Sequence, residues 1–175
     1  MTEQSTVSPL LKGIDKSAFH IGSLDDEIRV DKLCADLLKH LLQHLTKEDG
    51  LEAERAGELC HGADYFLREF IIGDRQANLF LVGADQVRQF AGHWYIIRTL
   101  EPNRAELAGI LDGVAACYTF LNEQELVPDQ KVTEITEACN DLDYYVARIE
   151  SFWAIENGGF DEWRAGCPLD EPGPA

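Results

Sequence analysis

The sequence predicts an all-α protein, an up-and-down helical bundle of about five main helices. Three observations predict it. Apolar residues recur at steps of three and four along five segments, the period of a half-buried helix and not of a strand. Helix-start residues and helix-stop glycines or prolines fall between those segments. Every connection is short, which makes sequential helices antiparallel neighbours.

The first segment, residues 25–47, puts Val30, Leu33, Cys34, Leu37, Leu38, Leu41 and Leu45 on one stripe. Ser23 with Asp26 three residues on makes a capping box, and Asp25, Asp26 and Glu27 sit at the positive end of the helix dipole. Gly50 marks the stop. The second segment, residues 51–72, carries Ala56, Leu59, Ala63, Phe66 and Phe70; Gly73 ends it and Asp74 caps the next.

The third segment, residues 75–100, carries Phe80, Ala84, Val87, Ala91 and Trp94 and is expected to kink at Gly83. Within it, residues 79–82 also fit a short buried strand, since periodicity does not decide so short a run. Pro102 stops the chain, and Asn103 with Glu106 repeats the capping-box signal. The fourth helix, residues 104–122, has Leu107, Leu111, Val114, Tyr118 and Leu121 as its stripe. Pro128 and Asp129 open the fifth, residues 130–156, with Val132, Ile135, Cys139, Leu142, Val146, Ile149 and Trp153 in register; Gly158 and Gly159 end it.

These segments divide the 175 residues into an N-terminal arm (1–24), a helical bundle domain (25–156) and a C-terminal tail (157–175). In the tail, Phe160 and Trp163 are expected to pack back as an anchor, and residues 167–175, rich in Pro, Asp and Glu, to be loose.

The fourth helix is apolar nearly all round. From Leu107 to Leu121 its only charge is Asp112, and Gly109, Gly113 and Ala116 sit on its back face. A helix apolar on both sides is buried on both sides. It is either the central helix or it meets a second copy through its small residues.

Charge narrows the functional classes. There are 15 basic and 32 acidic residues, a net charge of −17. That excludes gripping nucleic acid or anionic lipid through the general surface. No basic-then-apolar leader opens the chain and no apolar run approaches a spanning helix, so a cytoplasmic location and no membrane contact are expected. The five cysteines (Cys34, Cys60, Cys117, Cys139 and Cys167) are odd in number and widely spaced, as expected of reduced thiols.

Few residues group as chemistry requires. His40 with His44, and Glu58 with His61, have ligand spacing on helices. But His61 and Glu58 lie well off their apolar stripe, and no second inward Glu-x-x-His motif follows, so neither metal nor cofactor is expected. Phosphate-loop, nucleophile-elbow and dinucleotide motifs are absent. Arg98 falls on the apolar stripe of the third helix, where it either snorkels or meets a carboxylate. Asp112 is its candidate partner, with Asp64 second, and a buried meeting of Arg98 or His93 with Asp112 is the expected binding candidate. Tyr144-Tyr145 and Trp94-Tyr95 are doublets in which one ring is expected in the core and one at its edge.

Arg88 and His93 form an Arg-x-x-x-x-His arrangement, with polar Gln89 after the arginine. This six-residue stretch resembles the signature of the HEPN superfamily, helical-bundle proteins that include ribonucleases. The resemblance implies a phosphate-binding Arg88, an acid–base His93 and dimerisation through the bundle. RNA cleavage needs such a proton shuttle and charge clamp.

The expected function is therefore a non-enzymatic, acidic helical protein that works through protein contacts, with itself as a homodimer among the partners. The alternatives are a HEPN-like ribonuclease or toxin-related protein using Arg88 and His93, and a small-ligand or metal-binding bundle.

Overall fold

The structure, a computed structural model, describes residue 11 and residues 13–166. Residues 1–10, 12 and 167–175 lie outside the described residues; with them lie part of the expected arm, the expected loose end of the tail and Cys167. All regular structure among the described residues is helical. A short 3-10 turn, Lys16–Phe19, precedes α1, Leu24–Lys47. The Ser23 cap forms, but the Asp26 side chain reaches back to the Gly22 amide and not to the Ser23 amide of a capping box. Ser23 Oγ accepts the Asp26 amide at 3.2 Å, and the Asp26 carboxylate accepts the Gly22 amide at 3.0 Å. At the far end Gly50, at φ 68°, lets the Leu51 amide turn back onto the Leu45 carbonyl at 2.9 Å.

Next comes α2, Ala53–Asp64, which runs on into a π-helical segment, Tyr65–Asp74. A π turn closes five residues apart, so its cylinder is wider. Phe66, Leu67, Phe70, Ile71 and Ile72 are all buried there, a broader set than a narrow stripe predicts. α3 (Ala84–Gln89), a second π segment (Phe90–Trp94) and α4 (Tyr95–Arg98) form one continuous stretch. The two π segments meet through their rings: Phe66–Phe90, Phe70–Phe90 and Phe70–Trp94 have centroids 5.2, 5.5 and 5.3 Å apart. That contact buries both Trp94 and Tyr95, where one ring of the doublet was expected at the edge.

Two boundaries differ from the sequence reading. Residues 75–83 do not begin the third helix. Gln76 takes φ 49°, outside the helical region, and Asn78 Oδ1 accepts the Phe80 amide at 3.0 Å, starting a separate 3-10 turn, Leu79–Leu81. Residues 79–82 are thus neither α-helix nor strand, and Gly83 is the start of α3, not a kink within it. The expected fifth helix is also divided. α5 (Arg104–Glu123) leads to α6 (Asp129–Asn140), Asp141 leaves helical geometry at φ −80°, ψ 37°, and α7 (Leu142–Trp153) follows. Asn and Asp side chains compete with the helix for backbone partners, which locates the break at Asn140-Asp141. It resets the phase of α7. Tyr145, Arg148 and Ile149 face inward, while Trp153, expected on the stripe, is 59% exposed. α8, Phe160–Ala165, closes the description.

α5 contacts α1, α2, α6 and α7. Its small residues let α2 approach to backbone contact. A Cβ placed on Gly113 would stand 2.3 Å from the Leu59 carbonyl oxygen and 2.7 Å from the Ala63 nitrogen; one on Gly62 would stand 2.8 Å from the Gly109 oxygen. On the back face of the expected fourth helix, Gly113 is therefore covered within the chain by α2, while Gly109 and Ala116 are half-buried and Ala105 is exposed. Leu11, Phe19 and Ile21 before α1, and Trp163 in α8, join the same buried cluster as the helices between them. Among the described residues no helix is long and apolar enough to cross a membrane.

Candidate functional site

The densest polar arrangement lies where the second π segment, α7 and α8 meet. A π turn displaces backbone carbonyls from their usual partners, and here a side chain receives one. Arg148, 7% exposed, donates from Nε to the Gly92 carbonyl at 3.0 Å and from Nη1 to the Trp163 carbonyl at 2.7 Å. Its guanidinium carbon lies 4.0 Å from the centroid of the Trp163 ring. Trp163 Nε1 returns a hydrogen bond to the Arg148 carbonyl at 3.1 Å. One arginine thus holds the displaced carbonyl, the tail helix and its tryptophan ring.

His93 lies in this arrangement. It is 2% exposed and its ring stacks on Trp163 at 5.2 Å and 25°. Arg88 is half-buried on α3, close enough to Tyr145 to act on it electrostatically. The Arg-x-x-x-x-His arrangement therefore has its histidine sealed beneath α8 and not open to a cleft. An acid–base histidine has to reach its substrate's proton, and this ring meets an indole instead.

The other candidates lie elsewhere. Arg98 snorkels: its guanidinium sits 5.4 Å from the centroid of the Trp94 ring and pairs with Asp74 at 3.2 Å. Asp112 is exposed and pairs with Arg55 at 3.1 Å. Asp64 pairs with Arg68 at 3.0 Å. The expected buried meeting of Arg98 or His93 with Asp112 does not form. The physical reason is the rotation of α5: its apolar residues fill the contacts with α2 and α6, which turns Asp112 outward. Arg88, His93, Arg98 and Asp112 share no common cleft.

One member of each ligand-spaced pair has a carboxylate or arginine partner. Glu58 takes Arg55 at 3.1 Å, and His44 Nε2 stands 2.8 Å from a Glu123 carboxylate oxygen. Among the described residues, no group of three or more His, Cys, Asp or Glu is placed to hold a metal ion. Cys34, Cys60, Cys117 and Cys139 are free. Burial pushes the thiols of Cys34 and Cys139 up to about 12, raises Cys117 further and raises half-buried Cys60 as well. None is a ready nucleophile.

Arg148 escaped sequence reasoning because an unbroken fifth helix puts it on the polar side. The signal that finds it is the Asn140-Asp141 pair; restarting the phase there aligns Arg148 with Tyr145 and Ile149. The same rotation exposes an aromatic ladder at the α7–α8 corner. Trp153, Phe152, Trp163 and Phe160 follow one another at centroid spacings of 5.9, 5.0 and 5.9 Å, and the outer two are 59% and 39% exposed. No family model matches the chain, and neither a curated protein nor a solved structure was found to be similar to it.

Proposed function

We propose that this protein is a non-enzymatic protein-contact module. Its helices, read as five antiparallel rods with α2, α3–α4 and α6–α7 each continued across a wide turn or a break, form a scaffold in the cytoplasm. The partner-binding surface is the α7–α8 corner. The observation that carries the reading is the pair of exposed rings, Trp153 and Phe160, standing on half-buried Phe152 and buried Trp163. Exposed aromatics on a rigid, buried support are the residues that anchor protein interfaces. Around them Glu150, Glu156, Asp161 and Glu162 are exposed, with Arg164 beside them. A basic helical segment with an apolar face complements that rim. A second copy does so less well, since like charges of −17 repel.

Titration with a synthetic Lys/Leu amphipathic helix tests this. The reading expects saturable binding that shifts tryptophan emission and weakens at least tenfold in Trp153→Ala/Phe160→Ala, a variant of unchanged charge. Equal binding by that variant refutes the corner. Sedimentation of the free protein over a wide concentration range tests the homodimer.

One observation keeps the ribonuclease reading as the second choice: Arg88, on α3, stands just before the π segment that holds His93, and the wider π turn brings residues five apart closer to one face than an α turn does. RNA degradation lost in His93→Ala would favour it; equal activity in that variant removes it.

A further inference from the structure

A groove runs between the 75–83 connection and the turn joining α5 to α6, on elements that take no part in the α7–α8 corner. Phe80, Leu81, Leu126 and Pro128 give it an apolar lining, and Lys16 and Lys131 stand along it. Its volume is about 460 Å³, inside the range of roughly 300–1,000 Å³ typical of small-molecule sites. Leu81 is 74% exposed at its edge, held out by the 3-10 turn that buries its neighbours Leu79 and Phe80.

The charge here runs against the rest of the molecule. Several cations elsewhere face carboxylates: Arg29, Arg55, Arg68 and Arg104 each lie within 3.1 Å of one. Among the described residues no Asp or Glu lines this groove. Lys16 Nζ donates to the Leu126 carbonyl at 2.8 Å, which leaves two of its three N–H groups for another acceptor. Lys131 is half-buried, pairs with no carboxylate among the described residues, and its ammonium lies over Gly83, 3.5 Å from where a Cβ would stand. The adjoining hollow shares Lys16, Leu126 and Pro128 with the groove and is also lined by Glu125 and Asp129, so the end of the groove away from those carboxylates is the one at Lys131.

We propose that this groove binds a single-chain amphiphile bearing one carboxylate, its chain on Phe80 and Leu81 and its head between Lys16 and Lys131. Two arguments select that occupant. A greasy floor beside two ammonium groups matches an apolar chain ending in an anion. An acidic macromolecule would carry many charges into the field of a −17 protein, whereas a single charge meets little repulsion.

Calorimetric titration with dodecanoate below its micellar concentration tests the proposal, with dodecanol and dodecyltrimethylammonium as parallel arms and circular dichroism as the check on folding. One saturable site is expected for dodecanoate, at least tenfold tighter than for the cationic analogue. Lys16→Gln/Lys131→Gln should weaken it at least tenfold and Leu81→Asp likewise, while Trp153→Ala leaves it unchanged. Equal affinity for the cationic chain, undiminished binding in the double lysine variant, or tighter binding of an acidic apolar peptide than of dodecanoate each overturns the proposal. Because the corner and the groove share no residue, failure at one does not imply failure at the other.

Discussion

Replacing Gly113 by alanine inserts one methyl group at the crossing of α2 and α5. The added Cβ would stand 2.3 Å from a backbone oxygen and 2.7 Å from a backbone nitrogen of α2. Ordinary carbon contacts fall near 3.5–4.0 Å, so the helices must part by roughly an ångström. Neither obstructing atom belongs to a side chain that can rotate away. Overpacking costs about 1–3 kcal/mol when side chains adjust; with two helix backbones displaced, about 3 kcal/mol is the lower end here. Gly109 supplies the control, one turn earlier on the same helix, with nothing within 4 Å of its added Cβ. There alanine gains helix propensity, about 0.5–1 kcal/mol. At roughly 2–4 °C per kcal/mol for a chain of this size, Gly113→Ala should lower Tm by at least about 6 °C and Gly109→Ala raise it by about 1–4 °C. Thermal unfolding followed by circular dichroism reads both. Equal shifts in the two variants would refute the close crossing.

Arg148→Ala should release α8, since it removes the side chain that ties the Gly92 carbonyl to the Trp163 carbonyl and ring; about 2–4 kcal/mol is lost, and limited proteolysis in residues 154–159 should accelerate. An unchanged cleavage rate would contradict the clamp. Cys34, Cys117 and Cys139 should stay unreactive toward a chromogenic disulfide at pH 8 until the protein unfolds, with Cys60 reacting slowly; fast modification of all four in the native protein would sink that prediction. Alkaline pH should destabilise the fold. Burial raises the phenol of Tyr95 to about 12 and those of Tyr118 and Tyr145 well above their ordinary value; the last two donate to the Leu79 and Ala138 carbonyls, each at 2.7 Å. A phenol raised in the folded state stabilises fully below its ordinary value of about 10 and loses that contribution as pH climbs through the folded value. Unfolding should therefore set in above pH 10 and come later in Tyr145→Phe; a stability curve flat to pH 12 would refute this.

What was legible in the sequence followed from local physics. Ser23–Asp26 and Asn103–Glu106 are helix starts because side chains within three residues satisfy the free amides, and the structure keeps both caps. The stripes of α1 and α5 held because each is a single α-helix from end to end. Reading failed where the helical period changed. The π segments place Leu67, Ile72 and Tyr95 inside, which a constant 3.6-residue step does not anticipate. At Asp141 one residue out of helical geometry moved Arg148 inward and Trp153 outward. The candidate site suffered most, because Arg148 meets Gly92 and Trp163 across separations of 56 and 15 residues that no short motif encodes.

The facing π segments carry a further consequence for how the chain tolerates length changes. Each is equivalent to an ordinary helix holding one surplus residue, and the surplus is locked by the other's aromatic rings. Removing one residue from either would retract half of an interlocked pair and leave the opposing rings without seats. Removing one from both would shorten the two together. Deletions at Tyr65–Asp74 and Phe90–Trp94 are thus expected to be mutually compensating, like matched teeth taken out of two gears.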